Sequence, residues 1–83
     1  MNILEEALTI TTTDRQQVYG PPSENFRVTS DIASAILGYH ITPADCVKVA
    51  LAMKLARLRN SPKHRDSMID IAGYAWVLSE VVL

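Results

Sequence analysis

The sequence has a single cysteine, so no disulfide can form within the chain. Cys46 sits in an apolar run and reads as a buried thiol of a reducing cytoplasm. An excess of charge of either sign is also missing: eight Lys plus Arg stand against nine Asp plus Glu, for a formal charge of −1. A chain that coats itself on nucleic acid needs a cationic surplus, so this balance argues against a nucleic-acid partner. No apolar run approaches the roughly 20 residues that cross a bilayer. The opening "MNILEEALTI" carries acids where a secretory signal has its basic region. The expectation is a cytoplasmic protein without membrane contact. The two histidines, His40 and His64, have no second His or Cys at ligand spacing, which argues against a zinc site, and His64 beside a helix start reads as solvated. Glycine is scarce, and no glycine-rich phosphate loop exists. Nothing alternates with period 2 for long enough to make a strand.

What the chain does have is apolar residues: 48% of 83 positions. A chain this short buries only about 60–65% of its unfolded surface. The surplus predicts a homo-oligomer, a dimer or a tetramer, that buries apolar surface between copies. Residues 1–83 form one domain, since no linker, repeat or low-complexity tract divides them.

The fold class expected is all-α. A short N-terminal helix spans about 3–10, with Asn2 and Glu5 at capping-box spacing and Leu4, Ala7 and Leu8 on one stripe. "TTTD" ends it. Tyr19-Gly20-Pro21-Pro22 is a turn or extended corner, and Pro22 opens the next helix, about 23–37, with Phe26, Ile32, Ala33, Ile36 and Leu37 on its apolar side. Gly38 stands where a C-terminal glycine belongs. "TPAD" starts a third helix, about 43–59, with Thr42 as cap, Pro43 first and Asp45 third. Eleven of the fifteen positions from Ala44 to Leu58 are apolar, so this helix should be buried nearly all round. "NSP" breaks it. Ser61 then caps and Pro62 begins the last helix, about 62–82. So short a connection favours an antiparallel helical hairpin of these two helices.

The last helix holds the main question. At 100° per residue, Asp66, Asp70, Gly73, Val77 and Glu80 fall on one stripe about 80° wide. Met68, Ile71, Ala72, Ala75, Leu78 and Val82 cover the other face, which should be core. A mid-helix glycine costs about 1 kcal/mol relative to alanine. Gly73 therefore marks a close approach, most simply of another helix. Lys54 and Arg57 on the third helix point toward the level of Asp66 and Asp70 in a hairpin. Two readings follow. In one, the four charges form a half-buried cluster that fixes register. In the other, the aspartates hold a divalent cation and the basic groups hold phosphate oxygens. Arg15, Tyr19, Glu24 and Asn25 gather in the irregular segment, where either turn chemistry or ligand contact accounts for them.

"DRQQVYGPPSENF" followed by "ITPADCVKVALAMKLARLRNSPKHRDSMIDIAGYA" resembles a family of small uncharacterised phage and prophage proteins, over almost the whole chain. The Lys-Leu-x-Arg-Leu … Asp-x-x-x-Asp-Ile-x-x-Tyr-Ala layout also resembles the last two helices of MazG-like all-α nucleotide pyrophosphohydrolases. Those enzymes are helical oligomers that hold Mg²⁺ with carboxylates from two helices, and an activated water cuts the nucleotide. The resemblance implies Asp66 and Asp70 as Mg²⁺ ligands. Lys54, Arg57 and Arg65 would contact phosphates, with Arg15, Tyr19 and Asn25 lining the ligand site and Glu24 orienting a water. The chain departs from those enzymes in two places. Lys54 and Arg57 occupy the region of their Glu-x-x-Glu pair, and the final acids are spaced i, i+4. Two functions stand as expectations. One is a phage nucleotide-binding protein of MazG-like ancestry with its Mg²⁺ chemistry reduced or lost. The other is a non-enzymatic oligomer that binds a host or phage protein. Either would act in the bacterial host cytoplasm.

Overall fold

A computed structural model describes residues 2–10 and 21–82. Every regular element among them is helical: α1 (Ile3–Thr9), α2 (Pro22–Leu37), α3 (Pro43–Asn60) and α4 (Arg65–Val82). The all-α expectation holds. The heaviest packing is between α3 and α4; α1 lies against α4, and α2 against α3 and, more lightly, α4.

Local chemistry explains most of the helix ends. Asn2 Oδ1 accepts from the Glu5 amide at 2.8 Å, and the Glu5 carboxylate answers the Asn2 amide, so the capping box read from the sequence is present. The α3 start repeats the device. Thr42 Oγ1 accepts from the Asp45 amide at 3.0 Å and Asp45 Oδ2 accepts from the Thr42 amide at 3.1 Å. Gly38 ends α2 in the left-handed region, φ 79°, with its N–H donating to the Ser34 carbonyl. Ser34 does more. Its Oγ accepts from the Ile41 amide at 2.8 Å and lies 3.2 Å from the Ile41 carbonyl oxygen, as a donor to it. One hydroxyl thus closes the corner between α2 and α3.

The start of α4 differs from the expectation. Ser61 is the C-cap of α3, its N–H donating to the Arg57 carbonyl. Its own carbonyl accepts from the His64 amide at 3.0 Å, which makes residues 61–64 a β-turn with Pro62 at the second position. The cap of α4 is His64. The Ser67 amide donates to His64 Nδ1 at 3.2 Å, and Ser67 Oγ lies 2.7 Å from the same nitrogen. His64 is therefore half-buried and engaged, not solvated. An unprotonated ring nitrogen can accept from a helix N–H as a serine or asparagine oxygen does.

The interior is thin. Among the described residues the buried apolar side chains are Ala7, Val47, Ile69 and Val77, joined by the buried Ser30 and Ser67. Several stripes assigned to the core are open. On α1, Ala7 is buried but Leu4 and Leu8 are exposed, because one short helix meets α4 along a single side. On α2, Ile32, Ile36 and Leu37 are exposed, while Ser30 is buried and Phe26, Ala33 and Ser34 are half-buried. The Phe26 and Tyr74 rings meet edge to face at 6.4 Å between centroids, which anchors α2 to α4 on the Phe26 side. On α3, Val47 is fully buried but Val49, Met53 and Leu55 are exposed, so the helix is not buried all round. On α4 the most buried line is Ile69, Gly73 and Val77, centred on the acidic stripe. Ala75 and Val82, assigned to the core, are exposed, and Met68, Ile71, Ala72 and Leu78 are half-buried. Gly73 thus lies on the most buried line of α4 and not on an open face.

Candidate functional site

The charged groups gather where α3 ends and α4 begins. Lys54 Nζ lies 2.9 Å from Asp70 Oδ2, with side chains 20% and 13% exposed. That shielding puts the pair between a surface ion pair and a buried one. Lys54 is seven residues before Ser61 and Asp70 six after His64, so the two positions meet across the turn. The inward-looking carboxylate expected on α4 is thus Asp70.

Asp66 does not share that position. It is exposed, one turn nearer the helix start, and among the described residues it makes no ion pair. Arg57 is likewise exposed and makes none. The four-membered cluster expected from the sequence reduces to one pair with two exposed charges beside it. The two aspartates share one stripe of α4, so the split is axial and not angular: Asp66 stands one turn nearer the helix start, in the first turn of α4.

Arg65 reaches back across the fold. Its guanidinium pairs with the Glu6 carboxylate, tying α4 to α1. The partners are 59 residues apart, and no local pattern announces them. Glu24 is exposed in the first turn of α2, where it lines a shallow open depression with Ser23 and Arg27. Asn25 is half-buried; its amide donates to the Pro21 carbonyl and its carbonyl accepts from Thr29 Oγ1, which is turn and helix chemistry. Arg15 and Tyr19 lie outside the described residues.

Two titratable groups at the other end of α3 have shifted ionisation. The Asp45 carboxyl is held below its usual 3.8, first by the Thr42 amide and then by the Thr42 hydroxyl. Burial, and then the nearby Asp45 charge, push the Cys46 thiol up, so it is protonated at neutral pH. Neither residue faces the Lys54–Asp70 pair across the turn.

A Mg²⁺ centre requires oxygen donors that converge. No three His, Cys, Asp or Glu side chains come together among the described residues. The Asp70 carboxylate is already neutralised by an ammonium. The described donors therefore do not fit a metal cage held by protein alone. The turn region offers something else: from Arg57 to Arg65 there are four cations (Arg57, Arg59, Lys63 and Arg65), all exposed, and no acid. Arg59 and Lys63 were not among the expected site residues, although their clustering is plain in "RLRNSPKHR".

No helix among the described residues is long and apolar enough to cross a membrane. No solved structure matches the chain. Two phage proteins do. The Gene 55 protein of Mycobacterium phage D29 is 36% identical over 80 residues, which are 96% of this chain and 53% of that protein. The Gene 55 protein of Mycobacterium phage L5 is 36% identical over 84 residues, covering 100% and 54%. The chain spans about half the length of these curated relatives. Residues 2–82 match the model of a domain of unknown function, DUF6378, and the chain belongs to that family.

Proposed function

We propose that the chain is a phage accessory protein that binds the phosphates of a nucleotide, with MazG-like ancestry and a Mg²⁺-dependent cleavage that is reduced or lost. The observation that carries this reading is the turn between α3 and α4. It presents four exposed cations without an intervening acid, beside the shielded Lys54–Asp70 pair. Phosphate oxygens are the ligand such a cluster fits, since arginines donate to them through paired N–H groups. The pair below would hold α3 and α4 as an antiparallel hairpin and fix where the cations stand. Arg57 and Lys63 would contact phosphate directly. Arg65, already engaged with Glu6, would position the α4 end of the site. Cleavage is the reduced element because Asp70 is committed to Lys54 and Glu24 opens to solvent on another helix.

The test is a thermal-shift series with nucleoside triphosphates, inorganic triphosphate and Mg²⁺ alone. Triphosphates should raise the melting temperature, as any ligand selective for the folded state does. Arg57→Gln combined with Lys63→Gln should remove most of the shift. No shift at millimolar triphosphate would overturn the reading.

A second reading, binding of a host or phage protein in the host cytoplasm, has its own support. Val28, Ile32 and Ile36 repeat at i, i+4 and i+8 and are 48%, 56% and 77% exposed. It predicts no nucleotide response at all, and a partner whose affinity falls when Ile32 is made polar.

A further inference from the structure

We infer that α3 is the contact helix of a two-fold symmetric dimer, in which the exposed stripe Asp45-Val49-Ala52-Met53-Ala56-Arg59 of one copy packs antiparallel on the same stripe of a second copy. The inference is independent of the phosphate reading and uses the opposite side of α3 from Lys54.

The stripe follows from helix geometry. Taking Val49 as origin and 100° per residue, Ala52, Met53 and Ala56 fall within about 60° of it, whereas Val47 lies about 160° away. The structure agrees on every member. Val47 is fully buried, Val49 and Met53 are 62% and 66% exposed, and Asp45, Ala52, Ala56 and Arg59 are exposed. Positions i, i+3, i+4 and i+7 make the seam that one helix offers another. No element of the described chain covers it.

Self-complementarity identifies the occupant. Place a two-fold axis across the helix between Ala52 and Met53. Val49 then faces Ala56 of the second copy, a large side chain against an alanine, while Ala52 meets Ala52 on one flank of the seam and Met53 meets Met53 on the other. The charged ends agree as well. Asp45 at the start of the stripe comes opposite Arg59 of the second copy, and the symmetry makes this pair twice. Among the described residues, Arg59 has no ion pair within its own chain. A parallel arrangement would instead set Asp45 on Asp45 and Arg59 on Arg59.

Sedimentation equilibrium of the whole chain reads the assembly directly. The expected mass is twice 9.2 kDa. Met53→Asp should return it to one copy, and Arg59→Glu should weaken association about tenfold by setting acid against acid at both ends. Disulfide trapping in a Cys46→Ser background reads the geometry. Ala52→Cys should cross-link to itself. Val49→Cys and Ala56→Cys should cross-link when mixed but not separately. Should Met53→Asp fail to fold, the trapping pattern decides alone. A wild-type mass of one copy at every concentration, an unchanged mass for folded Met53→Asp, or efficient self-trapping of Val49→Cys would each overturn the inference.

Discussion

Lys54 and Asp70 meet at 2.9 Å across the α3–α4 packing, one turn from the level at which Arg57 and Asp66 stand in solvent. The contact is therefore the ionic tie between the two longest helices, and the exposed pair beside it is not part of it.

Breaking that tie leaves an ammonium half-shielded without its counter-charge. Asp70→Asn should destabilise the chain by roughly 1–3 kcal/mol, between the cost of losing an exposed pair and that of orphaning a buried charge. Asp66→Asn should cost under about 0.5 kcal/mol, as a surface change away from such features does. Urea unfolding at neutral pH compares the two, and equal losses would remove the distinction drawn between these carboxylates.

His64 caps α4 through a ring nitrogen that accepts from the Ser67 amide. His64→Ala should cost about 1 kcal/mol, and His64→Asn, which carries an oxygen suited to the same amide, should recover most of it. The melting temperatures of the two variants decide the matter; a harmless alanine would mean that the cap contributes nothing.

Asp45 links stability to acidity. Its folded ionisation lies below the usual 3.8, chiefly through the Thr42 amide. A lowered folded value stabilises the native state above the unfolded value, and the contribution fades as pH falls through the folded one. The gap in urea midpoint between the wild type and Asp45→Asn should be full at neutral pH and should close progressively below about pH 4. A gap that persists unchanged in acid would show that the carboxylate charge is irrelevant to the cap.

Gly38 has φ 79° and nothing within 4 Å of where a Cβ would stand. Gly38→Ala meets no clash, and its cost is backbone strain alone, about 1 kcal/mol. Chemical denaturation measures it. A loss well above 2 kcal/mol would point to a contact that the open surroundings of Gly38 do not contain.

The elements of this fold that the sequence makes legible are those with local chemistry. Asn2 with Glu5, Thr42 with Asp45, and Gly38 all announce helix ends within three or four residues, and all three are where their spacing puts them. The start of α4 is harder to read, because Ser-Pro fits a helix opening and a β-turn equally well and imidazole is an unusual cap. The Lys54–Asp70 contact follows from helical phase plus a short turn. The Glu6–Arg65 pair depends on where α1 docks, and no periodicity encodes that. The apolar stripes misled most: hydrophobicity marks which residues avoid water, but in a chain this small it does not say whether the cover comes from the same copy. Of the candidate site, the cationic run at the turn was visible as composition, whereas Asp66 and Asp70 share one stripe and helical phase alone does not tell them apart.

The Ser34 hydroxyl serves both backbone groups of Ile41. With donor and acceptor satisfied by one side chain, the elbow between α2 and α3 is tied at both backbone groups of Ile41, so that opening it breaks two hydrogen bonds at once. A molecule that grips α2 along Val28 and Ile32 consequently bears on the direction in which α3 extends, and with it the heading of everything α3 carries.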